Sequence, residues 1–347
     1  MSFRDLSIAL LLAFAGSAHA EFRDVLDSPA MMTPLAKSSP LLAVAQAGQR
    51  LVAVGQRGHI LVSDNGGADW TQVPVPVSSD LTAVFFASPS KGWAVGHDGV
   101  ILATEDGGEH WQKQLDGRQA GRIMADFYRN GADRQLADEA EQIVADGADK
   151  PFLDVWFADE TTGYVVGAFN LIFKTTDGGH TWQPLYGRTA NPQRLHLYAL
   201  QKGEDGLYIA GEGGLLLHAR PGSDDFTKIE LPYDGSLFGL RTHGKALLVF
   251  GLRGNLFRSE DGGAHWSKVE TGERSALVGS ASGQNGRISV IAQSGAVLTS
   301  DDDFQHFKIS HLTPPMPLCG GFLRADDRLV LVGFRGAALM SLSESAP

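Results

Sequence analysis

Three arginines, Arg57, Arg253 and Arg335, occupy the third place of the four-residue stretches Gly55-Gln56-Arg57-Gly58, Gly251-Leu252-Arg253-Gly254 and Gly333-Phe334-Arg335-Gly336. A guanidinium presents a rigid fork of donors that matches a carboxylate. Three of them in equivalent turns could form an arc that binds carboxylates, against the plainer reading of solvated turn residues or local ion pairs. His97 and Asp98 fill the corresponding pair in a fourth stretch and join the arginines as candidate partner-binding residues. A second regular set, Asp106, Asp177 and Asp261, follows Thr104, Thr175 and Ser259 by two residues and precedes a Gly-Gly pair. A catalytic carboxylate is needed once, whereas these recur, so they read as turn caps. Tyr198 and Tyr233, the latter beside Asp234, are the candidate nucleophiles of an enzyme reading, but no spacing selects them over packing roles. His97, His110 and His265 lack paired metal spacing, and there is neither a phosphate loop nor a nucleophile elbow. No catalytic residue, metal or cofactor is assigned.

The elements that must carry these residues follow from their repetition. Gly-x-x-Gly, a short apolar run and Ser/Thr-x-Asp-Gly-Gly-x-x-Trp recur in Gly96–Trp111, Gly167–Trp182 and Gly251–Trp266, with a close copy from Gly55 to Trp70. Weaker copies start at Gly211, Ala292 and Gly333, and Phe226 and Phe307 take the Trp place. Successive starts are 41, 71, 44, 40, 41 and 41 residues apart. Each copy adds two more strand-like runs upstream, for example 41–45 and 51–54 in the first. Four short strands per unit and seven units predict an all-β, seven-bladed propeller over residues 21–347. The Asp-Gly-Gly turns need positive φ, which glycine accepts. Trp70, Trp111, Trp182 and Trp266 are expected to bury large surfaces between blades.

The last copy runs out before a fourth strand. Residues 22–26, upstream of the first copy, are therefore expected to pair as the outer strand of the last blade and close the ring. The spacing of 71 marks an insertion at 116–150 between blades 2 and 3. Ile123, Met124, Phe127 and Tyr128, then Leu136, Ala140, Ile143 and Val144, fall at helical spacing on either side of Asn130-Gly131. This predicts a helical hairpin that either packs on the propeller or reaches for a partner. Strand order puts the hairpin and the Gly-x-x-Gly turns on one face and the Asp-Gly-Gly turns on the other.

Residues 1–20 read as a secretory signal peptide. Arg4 precedes the apolar stretch 6–15, and Ala18-His19-Ala20 ends it, so cleavage is expected after Ala20, with a periplasmic product. The stretch is too short to span a bilayer. The single cysteine, Cys319, has no internal partner and reads as a small buried residue. A net charge of -11 without a basic run argues against nucleic acid. The expected partner is a protein, an envelope membrane protein or complex, and the chain is expected to be a monomer.

The blade sequence WAVGHDGVILATEDGGEHW, together with the export signal, resembles the Ycf48/HCF136-type photosystem II stability and assembly factors and their relatives in non-photosynthetic bacteria. The resemblance covers nearly the whole mature chain. It implies a non-enzymatic propeller scaffold that helps assemble a membrane-associated complex. It also implies an arginine-rich face, matched here by Arg57, Arg253 and Arg335. Nothing in the residues specifies photosynthesis as the process served. The same turns resemble the Asp-box (BNR) repeats of bacterial sialidases, which gives the alternative of a glycoside hydrolase with the arginines as a carboxylate-binding triad. The early Arg-Ile-Pro sequence that sialidases often carry is missing.

Overall fold

Four strands, Leu41–Ala47, Arg50–Gly55, Ile60–Ser63 and Thr71–Val73, form the first antiparallel sheet, ordered from the axis outward as in the chain. The computed structural model describes residues 23–283, 286–302 and 304–342. Within it the pattern repeats as seven separate antiparallel sheets, six of four strands and the last of three. The chain is a seven-bladed β-propeller. Every inner strand carries a register shift at its start, as between Leu41 and Ala43. One extra residue there strengthens the local twist as each strand enters the ring.

No blade has a core of its own. Seven apolar clusters form, and each joins two neighbouring blades. The cluster of Val52, Val54, Ile60, Ala94, Leu102 and Trp111 lies between blades 1 and 2. Another, with Leu41, Leu51, Leu61, Trp70, Val330 and Val332, joins blade 1 to blade 7 and closes the ring. Trp182 fills the same place between blades 2 and 3, and Trp266, half-buried, between blades 4 and 5. The indole N–H groups of Trp70, Trp111 and Trp266 donate to the carbonyls of Gly67, Gly108 and Gly263 at 3.2, 3.1 and 3.0 Å. These three are thus tied to their own turns while their rings pack on the preceding blade, whereas the Trp182 N–H is buried without a partner among the described residues.

The turn is held as its residue types require. Asp106 Oδ1 accepts from Thr104 Oγ1 at 2.9 Å and from the amides of Glu109 and His110 at 3.0 Å, and its Oδ2 lies 2.7 Å from His110 Nδ1. Asp177 accepts from Thr175, from the Thr181 amide and from the Thr181 hydroxyl, and Asp261 from Ser259 and the His265 amide. Burial works against the Asp106 charge, but these bonds prevail and draw its pKa down to about 2. All three carboxylates are spent on their own turns.

The expected closing strand is not formed by the N-terminal run. Phe22 lies outside the described residues, and Val25–Asp27 is a 3-10 turn against blades 1 and 2, not a strand of blade 7. Leu26 is buried among Val73, Val75 and Trp111, and Asp27 pairs with Arg118 at 2.8 Å. The chain then runs past the outer strand of blade 1, where Ala30 N–H donates to the Val75 carbonyl at 3.0 Å. It reaches blade 7 only as the 3-10 turn Pro34–Ser38, whose Ala36 is buried beside Val330 and Val332. Burial of Leu26 and the Asp27–Arg118 pair thus place this run elsewhere, and blade 7 keeps three strands among the described residues.

The insertion folds as α1 (Gly117–Tyr128) and α2 (Arg134–Asp146). Asp116 starts α1 with a reciprocal capping box to Gln119. Met124, Tyr128, Ala140 and Ile143 are buried, and Ile123 and Leu136 half-buried, in the cluster of Trp182 and Tyr186. The Gly187 amide donates to the Tyr128 hydroxyl at 3.0 Å, and Arg194 pairs with Glu139 at 2.9 Å. The apolar stripe therefore covers the outer edge of blade 3, while Phe127 and Val144 stay exposed. Replacing Trp111 by Ala should cost about 3–5 kcal/mol, the range for emptying a buried aromatic site. Urea unfolding followed by circular dichroism measures it, and a loss near zero would remove the inter-blade wedge from the account.

Candidate partner-binding face

In blades 1 to 5 the Gly-x-x-Gly stretch forms a tight 3-10 turn between the second and third strands, and in blade 7 Phe334-Arg335 make a two-residue turn there. At Gly55 a Cβ would lie 2.2 Å from the Pro40 carbonyl, because the entering chain crosses there, and Gly58 has a φ of +70°. The residue before the second glycine also adopts the left-handed conformation, with φ of 57° at Arg57, 58° at Asp98, 52° at Phe169 and 58° at Arg253. Blade 3 replaces the second glycine with Asn170. Asparagine tolerates that conformation. Its side chain is fully buried, donating to the Tyr186 carbonyl and accepting from Thr189 and Asn191, each at 2.9 Å.

The position before the second glycine is where the copies differ. Arg57, Arg253 and Arg335 are exposed, and among the described residues none of the three guanidinium groups has a hydrogen bond or ion pair. Asp80 accepts the Arg57 backbone amide at 2.7 Å instead of pairing with its side chain. Ring closure makes blades 7 and 1 neighbours, so Arg335 and Arg57 sit on adjacent blades, with Arg253 two blades from Arg335. His97 is exposed on blade 2. Asp98 is half-buried, and its carbonyl lies against the start of α1 at Gly117.

Apolar groups share the face. Phe169 and Phe334 are each 49% exposed and Leu252 38%, large values for such side chains. Phe169 meets His196 edge-on at 4.6 Å, His196 meets Tyr198 at 6.0 Å, and Tyr198 meets Phe238 at 5.4 Å. An aromatic run thus leads from a turn tip on blade 3 to the mouth of the axial cavity. Apart from Tyr198, a candidate nucleophile of the enzyme reading, these residues were not among the sequence-based site candidates, although Phe169, Leu252 and Phe334 occupy the same variable pairs as the arginines.

The axial cavity, about 380 Å³, carries its own polar groups. At one level the inner strands supply Ala43, Ala83, Ala199, Gly239, Gly279 and Gly320, and only blade 3 departs, with Asp154. Its carboxylate accepts from the amides of Leu200 at 2.7 Å and Val155 at 2.9 Å. Burial nevertheless raises its pKa to about 6. Arg241 donates to Ser280 Oγ, Gln201 Oε1 and the Ser280 carbonyl at 2.7–2.8 Å, linking blades 4, 5 and 6. Cys319 lines the same cavity, and burial pushes its thiol up to about 11.

The tyrosines of the glycosidase alternative do not meet the arginines as a site. The Tyr233 hydroxyl donates to the Leu252 carbonyl at 3.1 Å, and burial raises the pKa of both Tyr198 and Tyr233, opposite to what a nucleophile needs. Asp106, Glu109 and His110 cluster on the opposite face, exposed and already engaged as a turn cap.

Residues 37–127 and 134–237 match the family described as photosynthesis system II assembly factor YCF48. The chain belongs to this family. It is a family of assembly factors rather than enzymes. The photosystem II assembly lipoprotein Ycf48 of Synechococcus sp. (strain CC9902) is 29% identical over 130 residues, 36% of this chain and 38% of that relative. The match thus spans about two fifths of the relative's length. Two solved structures share the fold at 16% identity. One is YCF48 bound to D1 peptide, with a TM-score of 0.65 over 89% of this chain and 94% of that one. The other is YCF48 from Cyanidioschyzon merolae, with a TM-score of 0.64 over 90% and 98%.

A carboxyl group whose pKa rises on folding favours the fold when protonated. That contribution is complete below pH about 4 and is lost as pH rises through about 6. Asp154→Asn should therefore gain stability relative to the parent between pH 4 and pH 7, by on the order of 1–3 kcal/mol. Melting curves across that range check it, and a constant difference would contradict the raised pKa.

Proposed function

We propose that this chain is an exported, non-catalytic assembly factor that holds an extended segment of a membrane-complex subunit on the face bearing the Gly-x-x-Gly turns. The observation that carries the reading is the unpaired set of Arg57, Arg253 and Arg335, exposed in equivalent turns, the first two at left-handed positions, on the face that also bears exposed Phe169, Leu252 and Phe334. Unpaired guanidinium groups with apolar neighbours suit a segment carrying both carboxylates and large apolar side chains. Asp80 lies next to Arg57 but accepts its backbone amide, which leaves the guanidinium unpaired in a protein of net charge -11. A structural relative is described as bound to a D1 peptide, which supports a peptide segment as ligand. Photosystem II is the complex in the family's description, and another envelope complex would need the same chemistry.

Export rests on residues 1–20, which lie outside the described residues, and on a relative described as a lipoprotein. No described helix is long and apolar enough to cross a membrane. The hairpin α1–α2 enters this reading through exposed Phe127, since its buried stripe is committed to blade 3.

Changing Arg57, Arg253 and Arg335 together to Ala should leave the melting temperature unchanged and lower crosslinked recovery of a membrane-complex subunit from envelopes at least tenfold. Unchanged recovery by the folded variant would sink the proposal.

A further inference from the structure

Among the described residues that line the axial cavity, two are charged, Asp154 of blade 3 and Arg241 of blade 5. Opposite charges in so confined a space attract strongly, and direct pairing would offset part of the cost of taking them out of bulk water. They do not pair. Asp154 is turned to the Leu200 and Val155 amides, and Arg241 to Ser280 and Gln201. Burial raises the Asp154 pKa and lowers that of Arg241, and the field of each charge opposes the shift of the other across the gap. Both groups also keep unused capacity. Three bonds occupy three of the five N–H donors of Arg241, and the two amides leave lone pairs on both Asp154 oxygens. Neither side chain has a further partner among the described residues.

The register of the inner strands orders the cavity along its axis. Leu42, Tyr198, Phe238 and Val278 precede the level of Asp154 by one residue and line the end nearer the Gly-x-x-Gly turns. Ser280 and Gln201, which hold the guanidinium, follow that level by one and two residues. At strand rise this is about 3–7 Å further in. From the turn face inward the cavity presents apolar groups, then a carboxylate, then a guanidinium.

We infer that the axial cavity binds a small zwitterion with an apolar body, in the class of a free apolar α-amino acid. Its ammonium bonds Asp154, its carboxylate takes the two remaining N–H groups of Arg241, and its side chain lies against Leu42, Tyr198, Phe238 and Val278. An anion alone is opposed by Asp154 and a cation alone by Arg241, whereas a ligand carrying both charges completes both groups. The dimensions agree. An α-amino acid separates its charges by about 3 Å, and a charge-assisted hydrogen bond at each end adds about 2.8 Å, which spans the offset between the two levels. The cavity volume of about 380 Å³ is near the lower end for ligand sites, about 300 Å³, and holds one metabolite-sized molecule. This site uses none of the exposed arginines and does not depend on the partner segment.

Calorimetry of the full chain at pH 8, where Asp154 is ionised, tests this with L-leucine, L-methionine, L-phenylalanine and L-tryptophan. At least one should bind with a Kd of about 1 mM or tighter. The analogue of that ligand without the ammonium, and the one without the carboxylate, should each bind at least tenfold more weakly. Asp154→Asn leaves Arg241 as the sole charge of the cavity. It should weaken the amino acid at least tenfold and tighten the analogue that keeps only the carboxylate. A role confined to holding strands together would move neither preference. Arg241→Gln should favour the analogue that keeps only the ammonium, with circular dichroism checking its fold, and Asp154→Asn decides if that variant does not fold. The triple arginine variant should bind the amino acid as the parent does, which separates this test from that of the arginine face. Three results would overturn the inference. They are no binding of any of the four at millimolar concentration, which leaves the cavity to water, equal binding of an amino acid and its singly charged analogues, and unchanged binding by Asp154→Asn.

Discussion

The fold depends on one repeated contact, the aromatic wedge placed between blades by a hydrogen-bonded Ser/Thr-x-Asp-Gly-Gly turn. A lone blade of about 40 residues buries too small a share of its surface to stand alone. Here each sheet packs on both neighbours, so its stability is shared around the ring. Thr104 and Asp106 shape the turn, Gly108 accepts the indole N–H, and the Trp111 ring enters the cluster of blade 1. The closing interface uses the same device, so closure needs no special residue. Trp70 packs on Val330 and Val332 as Trp111 packs on Val52 and Val54.

That regularity leaves particular positions free to differ. In blades 1 to 5 the turn holds the backbone in a left-handed conformation whatever side chain is present, and arginine occupies that place in blades 1 and 5 at φ near 58°. The inner ring tolerates only small residues at one level, so Asp154 stands out and is anchored to the next blade through the Leu200 amide. Arg241 does similar work on the other side of the cavity through Gln201 and Ser280. The cavity's charged groups thus stitch inner strands together, while those on the turn face remain unspent.

Much of this was legible in the sequence because a repeat makes its own case. The glycine spacing marked the hairpins, the aromatic positions marked the interfaces, and the shift from strand-like runs to helical spacing at 116–150 marked α1 and α2. Closure was misread, since residues 22–26 were assigned by topology alone. A short run goes where its side chains find partners, and Leu26 and Asp27 find theirs at blades 1 and 2. The cavity network was not visible either, because Asp154 and Arg241 come from different repeats at different levels. Comparing copies column by column would have exposed Asp154 against six Ala or Gly residues. The arginines stood out because they share a motif position, and Phe169, Leu252 and Phe334 did not because the motif column mixes polar and apolar residues.

The central claim is that the variable turns, and not the invariant ones, meet the partner. Hydrogen exchange of the chain with and without its captured membrane-complex subunit tests it most directly. The account predicts slowed exchange at the turns 56–58, 252–254 and 334–336, with the Asp-Gly-Gly turns around Asp106, Asp177 and Asp261 unchanged. Protection confined to the Asp-Gly-Gly turns would contradict it.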